Sequence, residues 1–202
     1  RSLGEVALPS IPKKFRHLGK LALKRALKSL DEKNGKFLSE REEKPQLHQA
    51  QQNAVSAIMH SCGFAPYVLY GVTGSGKTEI YLHSIEQVLD RSPDAQILVM
   101  VPEINLTPQL ETSVCNRFPH ENIATLHSRL TESERLKNWL KIASGKARII
   151  LGTRLAVLAP APKLALIIVD EEHDNSYKSE STPKYDAVNT AIYRGMQCGC
   201  AV

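Results

Sequence analysis

Tyr67-Val68-Leu69-Tyr70-Gly71-Val72-Thr73-Gly74-Ser75-Gly76-Lys77-Thr78, residues 67–78 of 202, is the stretch on which the fold turns. An apolar run enters a glycine-rich loop, and Lys77 to Leu89 then continues at helical period. Gly71–Thr78 satisfies GxxxxGK[ST] at every position, in the strand–loop–helix context that gives this pattern its meaning. Glycines let the backbone close into a concave loop whose N–H groups point at phosphate oxygens. The helix opening near Lys77 adds the positive end of its dipole. Lys77 is expected at the β- and γ-phosphates, and the Thr78 hydroxyl on Mg²⁺. Gly71, Val72, Thr73, Gly74, Ser75, Gly76, Lys77 and Thr78 are therefore the nucleotide-binding residues.

Downstream, Gln96–Val101, Ile123–Leu126, Ala147–Leu151 and Leu164–Val169 are unbroken apolar runs, which read as strands buried on both faces. Helical segments lie between them, near Pro108–Cys115 and over Glu132–Ala143. This alternation predicts an α/β fold, a mostly parallel sheet with helices on both faces. The last apolar run leads directly into Asp170-Glu171-Glu172-His173. A buried strand ending in acids is the partner a phosphate loop requires. Asp170 can hold the Mg²⁺ shell opposite Thr78, and Glu171 can accept a proton from the attacking water. Lys77, Asp170 and Glu171 are thus the catalytic candidates. No Asn-Lys-x-Asp element for reading guanine follows the loop, so ATP is favoured over GTP. Gln51, upstream, has the chemistry to bond an adenine edge, although a glutamine there is also an ordinary surface residue.

The N-terminal region differs in character. Residues 1–50 carry 12 Lys+Arg and 6 Asp+Glu, a net of +6, whereas residues 51–202 sum to −1. Leu18–Leu30 has apolar residues at helical spacing with lysines between, predicting a basic amphipathic helix. Asn34-Gly35 signals a turn, Lys36–Leu38 a short strand, and the charged run Ser39–Pro45 a linker. A further helix is expected over His48–His60. The basic arm suggests a polyanionic partner, nucleic acid first, or else a solvated helix surface. Two units follow, a basic segment over 1–44 and an ATP-binding lobe over 45–202. Cys62, Cys115, Cys198 and Cys200 form no CxxC pair and no metal-ligand spacing, so neither a disulfide framework nor a zinc site is expected here. With no signal-like N-terminus and no apolar stretch of membrane-spanning length, a cytoplasmic protein without membrane contact is expected.

Asp-Glu-x-His with a phosphate loop resembles superfamily 2 helicases. Gly71–Tyr81 (GVTGSGKTEIY), Val101–Gln109 (VPEINLTPQ), Leu126–Trp139 (LHSRLTESERLKNW), Gly152–Arg154 (GTR) and Asp170–Lys178 (DEEHDNSYK) occur in that order. Over roughly residues 45–195 they resemble the primosomal protein N′ family of replication-restart DNA helicases, and residues 18–43 weakly resemble the end of its winged-helix module. The resemblance implies a RecA-like first helicase lobe of an ATP- and Mg²⁺-dependent 3′-to-5′ helicase. Single-stranded and forked DNA, primosome proteins and single-strand-binding protein are the implied partners. It further implies an adenine-reading role for Gln51 and a γ-phosphate link to the second lobe for His173. Thr107, Thr153 and Arg154 fall in loops that track the DNA backbone, at the carboxyl ends of predicted strands where ligands bind. Tyr177 and Tyr185 fall in a DNA-coupling loop; His127 lies in a family block without a clear role.

The match has departures. Asn105 and Arg129 stand where the family usually has glycine, Leu155 where it has a small residue, and Asp186, Val188 and Asn189 where it tends to have histidine, arginine and aspartate. A Gly-Ser-Ala-Thr-Pro motif, a zinc-binding insert and a second lobe with the completing arginines follow in the family beyond the position of Val202. Weak nucleotide binding and poor hydrolysis by the 202 residues alone are therefore expected. The competing readings are another superfamily 2 translocase in repair or restriction, and a nucleotide-gated DNA-binding module without turnover.

Overall fold

The computed structural model describes residues 11–28, 30, 45–72, 74–103, 105–106, 108–180 and 184–202. Four strands, β1 (Gln96–Met100), β2 (Ile123–Leu126), β3 (Ile149–Gly152) and β4 (Leu164–Val169), form one sheet in the order β2-β3-β1-β4. All three pairings are parallel, with Ile97 opposite Ile149 on one side and Leu166 on the other. Parallel neighbours need a crossover, and helices supply it. In chain order these are α1 (Lys13–Arg16), α2 (Lys20–Lys28), α3 (Gln49–Met59), α4 (Lys77–Arg91), α5 (Pro108–Arg117), α6 (Glu132–Ala143) and α7 (Ala187–Cys198).

Side chains alternate across a strand, so each strand feeds two cores. Ile97, Val99, Ile149, Leu151 and Ile168 pack with Leu82, Ile85 and Leu89 of α4 and with Val114 of α5. Leu98, Met100, Ile150 and Ile167 face the other way, onto Ile142 of α6 and Ala187 and Ala191 of α7. Helices thus cover both faces, as the unbroken apolar runs require. Gln96 is the polar exception, fully buried at the start of β1. Its amide donates to the Ile142 and Ala147 carbonyls at 3.0 and 2.8 Å and accepts from the Lys163 N–H at 3.1 Å. Every polar atom is used, which makes the burial affordable.

The described part of the basic arm packs on α6. Phe15, Leu18, Leu23 and Ala26 join Leu136, Leu140 and Trp139 in a third apolar cluster. The expected turn at Asn34-Gly35, the strand at Lys36–Leu38 and the linker from Ser39 up to Lys44 lie outside the described residues.

One expected strand is absent. Tyr67–Tyr70 forms no ladder; only Ala65 makes a parallel bridge, to Ala201. The Tyr67 N–H donates to the Val202 carbonyl at 2.8 Å and the Val202 N–H to the Ala65 carbonyl at 3.1 Å. Cys200–Val202 meets this edge at Ala65 and Tyr67, and Val68 and Tyr70 are 87% and 97% exposed. Between this extended segment and Ile167–Val169 of β4 lies an apolar slot of about 750 Å³ that opens at the phosphate loop.

Candidate nucleotide site

Thr131 and Glu134 cap α6 reciprocally, and His48 and Gln51 do the same for α3. The second box has a consequence for the loop. The Gln51 Oε1 accepts from the His48 N–H at 3.0 Å, and its Nε2 donates to the Ser75 carbonyl at 3.2 Å. Gln51 thereby bridges the start of α3 to the phosphate loop. In this arrangement its amide is committed to the loop backbone, from which it would have to turn to read a base.

The loop itself closes on short-range contacts. The Ser75 N–H donates to the Val72 carbonyl at 3.1 Å. Gly76 caps α4 with φ 79°, a left-handed value that favours glycine, and a Cβ there would strike the Gln51 Nε2. A Cβ on Gly71 would sit 2.6 Å from the Ser75 Oγ. The concavity thus depends on missing side chains, which fits an oxyanion bound close to backbone. Lys77 donates its Nζ to the Gly71 carbonyl at 2.7 Å, folding over the hollow that phosphate oxygens would occupy. Thr78 is exposed on the first turn of α4. Thr73 lies outside the described residues.

The acids arrive from β4. The Asp170 N–H continues the sheet by donating to the Met100 carbonyl at 2.9 Å. Burial raises the Asp170 carboxyl above the usual carboxylate range, and the neighbouring Glu171 pushes the same way. Hydrogen bonding from Tyr81 and the charge of Lys77 oppose the rise. Glu171 has φ 47°, the sole positive value at a non-glycine residue among those described. Such a residue costs about 1–2 kcal/mol. The Asp174 N–H folds back onto the Glu171 carbonyl at 2.9 Å, holding that bend. His173 stands mostly exposed, its ring nitrogens 3.7 Å from Glu171 and 3.5 Å from Glu172.

Two tyrosines join these parts, and neither role is legible in the sequence. Tyr81, one turn along α4 from Lys77, donates its hydroxyl to the Asp170 Oδ1 at 3.3 Å. Burial, then the Asp170 charge, holds that phenol well above its ordinary value, so it remains a donor. Tyr177 donates to the Asp170 carbonyl oxygen at 2.7 Å and is only 1% exposed. The phosphate-loop helix and the acidic turn are thereby drawn to one end of the slot, which Lys77, Glu171 and His173 all line. Exposed Thr78 and the Asp170 carboxylate are hard oxygen donors, suited to Mg²⁺ that keeps water and phosphate as its other ligands. No cluster of three His, Cys, Asp or Glu residues able to hold a metal occurs among the described residues.

The candidate DNA residues separate. Thr107 lies outside the described residues. Thr153 is 4% exposed, and its N–H donates to the Leu126 carbonyl at 3.1 Å. Its hydroxyl is not presented to a backbone phosphate. Tyr177 is likewise a core residue, because its ring fills the space beneath Asp170, and offers no face for stacking. In this structure both serve as supports of the fold. Arg154 donates to the Ser176 carbonyl at 3.2 Å and is partly exposed. Half-buried Tyr185 donates to the Arg154 carbonyl at 3.5 Å. The segment from Tyr177 to Tyr185 thus touches the acidic turn at one end and the Gly152–Arg154 turn at the other. Asp186 caps α7, accepting from the Val188 and Asn189 N–H groups at 2.9 and 3.1 Å. Arg129 donates to the Leu106 carbonyl, Ser128 to Glu103, and His127 lies 3.5 Å from Glu111. These three contacts strap the turn after β2 to the segment after β1, and they give His127 a structural place.

Residues 48–199 match the DEAD/DEAH box helicase family model. The chain is 46% identical over 136 residues to the replication restart protein PriA of Bacillus subtilis, covering 67% of this chain and 16% of that one. It is 44% identical over 156 residues to PriA of Haemophilus influenzae, covering 77% and 21%. PriA of Treponema pallidum is 43% identical over 150 residues, covering 74% and 22%. The chain therefore spans about a fifth of the length of these relatives. The crystal structure of the DUF1998 helicase MrfA superposes with a TM-score of 0.50 at 14% identity, over 88% of this chain and 28% of that one. That likeness speaks for the fold alone, a RecA-like α/β lobe.

Proposed function

Because the chain belongs to the DEAD/DEAH box helicase family, we propose that it is the first, ATP-binding lobe of a replication-restart DNA helicase moving 3′ to 5′. The observation that carries this reading is the Tyr81–Asp170 hydrogen bond, which brings the phosphate-loop helix and the acidic strand end to one cavity. Lys77 would exchange the Gly71 carbonyl for β- and γ-phosphate oxygens. Thr78 and Asp170 would hold Mg²⁺, which neutralises charge on the transferring phosphoryl group. Glu171 accepts the proton of the attacking water, and its strained bend aims the carboxylate from the rigid end of a buried strand. Gln51 supplies adenine selection after releasing Ser75, and His173 meets the second lobe.

The DNA side runs over the carboxyl ends of β1, β2 and β3, with Arg154 and Thr107 as backbone contacts. The segment from Tyr177 to Tyr185 links the two sides, since it bonds to Asp170 at one end and Arg154 at the other. Partners of the intact protein would be single-stranded and forked DNA, primosome proteins and single-strand-binding protein, in the cytoplasm. Among the described residues no helix is long and apolar enough to cross a membrane. Glu171→Gln tests the reading. DNA-stimulated ATP hydrolysis by the intact protein should fall at least a hundredfold while ATP binding persists. Unchanged hydrolysis would refute the proton-accepting role of Glu171, and no DNA-stimulated hydrolysis by the intact wild type would reduce the chain to a nucleotide-gated binding module.

A further inference from the structure

A separate cavity of about 330 Å³ lies where the basic arm meets the lobe. Leu126, Leu155 and Trp139 give it apolar walls, and Lys13, Arg16 and Arg135 give it a cationic rim. Among the described residues that line it none is acidic; Glu132 reaches Arg135 from outside at 3.7 Å. The pocket exists because α1 is pinned to α6. Lys14 donates to the Ser133 Oγ at 2.7 Å, and the Phe15 and Trp139 rings are 5.0 Å apart at 43°. The Arg16 guanidinium is oriented by the Ile11 carbonyl at 3.2 and 3.3 Å.

Position adds to the chemistry. Leu126 ends β2 and Leu155 follows the Gly152–Arg154 turn after β3, so the cavity sits at the carboxyl ends of the sheet beside Arg154. An aromatic and aliphatic slot rimmed by cations matches a base with its attached phosphate. We infer that this pocket seats one nucleotide of single-stranded DNA, its base against Trp139 and its phosphate among Lys13, Arg16 and Arg135. The inference rests on the DNA-translocation reading above and extends the DNA path onto the N-terminal helix. The basic arm then acts as an anchor for the strand rather than as a solvated surface. Stacking tolerates any base because every base has a π-face, so the site grips without reading sequence.

Trp139 is the sole tryptophan of the chain, so its emission reports this pocket directly. Oligothymidylate is titrated into the 202-residue chain at low salt, following anisotropy of an end-labelled strand and, separately, Trp139 emission with unlabelled strand. Both signals should saturate together, with emission quenched. Lys13 and Arg16 are exposed, as are the Arg16 bonds to the Ile11 carbonyl, so Lys13→Glu with Arg16→Glu should lower the melting temperature by no more than about 2–4 °C. That double variant should bind roughly tenfold more weakly, with a salt slope smaller by about 0.7, for the one phosphate it no longer neutralises. A rise in anisotropy with unchanged emission, and wild-type affinity in the double variant, would overturn the pocket and leave the DNA reading standing. The same quenching by inorganic polyphosphate would overturn the base contact. No rise in anisotropy at all would overturn both readings.

Discussion

Gly76→Ala probes the join between the phosphate loop and Gln51, and its cost can be worked from two terms. Gly76 has φ 79°, and an alanine held there costs about 1–2 kcal/mol. The new Cβ also displaces the Gln51 amide, which loses its bonds to Ser75 and His48. The Ser75 bond is partly buried and the His48 bond is exposed, so their joint loss is worth about 1 kcal/mol. The total of about 2–3 kcal/mol should lower the melting temperature by about 5–10 °C in a domain of this size. In a Gln51→Ala background nothing remains to collide with, and the same substitution should cost only the backbone term. The coupling, about 1 kcal/mol, exceeds the few tenths by which independent sites depart from additivity. Urea unfolding of the four proteins without nucleotide measures it. Equal costs in the two backgrounds would refute the placement of Gln51 against the loop.

Two further substitutions follow from the geometry. Tyr81→Phe removes the hydrogen bond that opposes the rise of the Asp170 pKa, so a proton competes better with Mg²⁺ for that carboxylate. The Mg²⁺ concentration needed for half-maximal nucleotide binding should rise severalfold, more at pH 6 than at pH 8; magnesium titrations at both values check this. Without Mg²⁺ the sign for stability is the reverse of a salt-bridged acid. Asp170 ionises at a cost in the folded state, and that cost is relieved as pH falls through its raised pKa. Gln96→Leu keeps volume but leaves the Lys163 N–H and the Ala147 carbonyl without the Gln96 amide in a fully buried site, while the Ile142 carbonyl keeps its bond from the Gly145 N–H. A loss of about 2–4 kcal/mol in urea unfolding, at unchanged m-value, is expected.

What could be read from the residues divides along physical lines. β2, β4 and α6 begin and end where the apolar runs and the Thr131 cap place them, because burial demand and capping are local properties. Tyr67–Tyr70 has the same apolar signature without the strand, since an apolar run reports a demand for burial and does not say which segment will pair with it. That Lys77, Asp170 and Glu171 would stand at the ends of a helix and a buried strand could be expected, because phosphate and metal chemistry demands those residue types there. Tyr81 and Tyr177 were not, because the contact between Tyr81 and Asp170 joins residues 89 apart. Tyr177 also illustrates an ambiguity of aromatic residues in polar loops. Its ring is a buried prop whose hydroxyl finds a backbone carbonyl.

Magnesium-dependent ATP binding by the wild-type chain and by Lys77→Ala, each with and without single-stranded DNA, tests the central claim most directly. The Lys77 side chain donates one hydrogen bond, to the Gly71 carbonyl, so the variant should melt with the wild type. The account predicts that wild type binds ATP and that Lys77→Ala binds it at least tenfold more weakly. Equal binding by two folded proteins would mean that the loop closed by Gly71 and Gly76 is not a phosphate site.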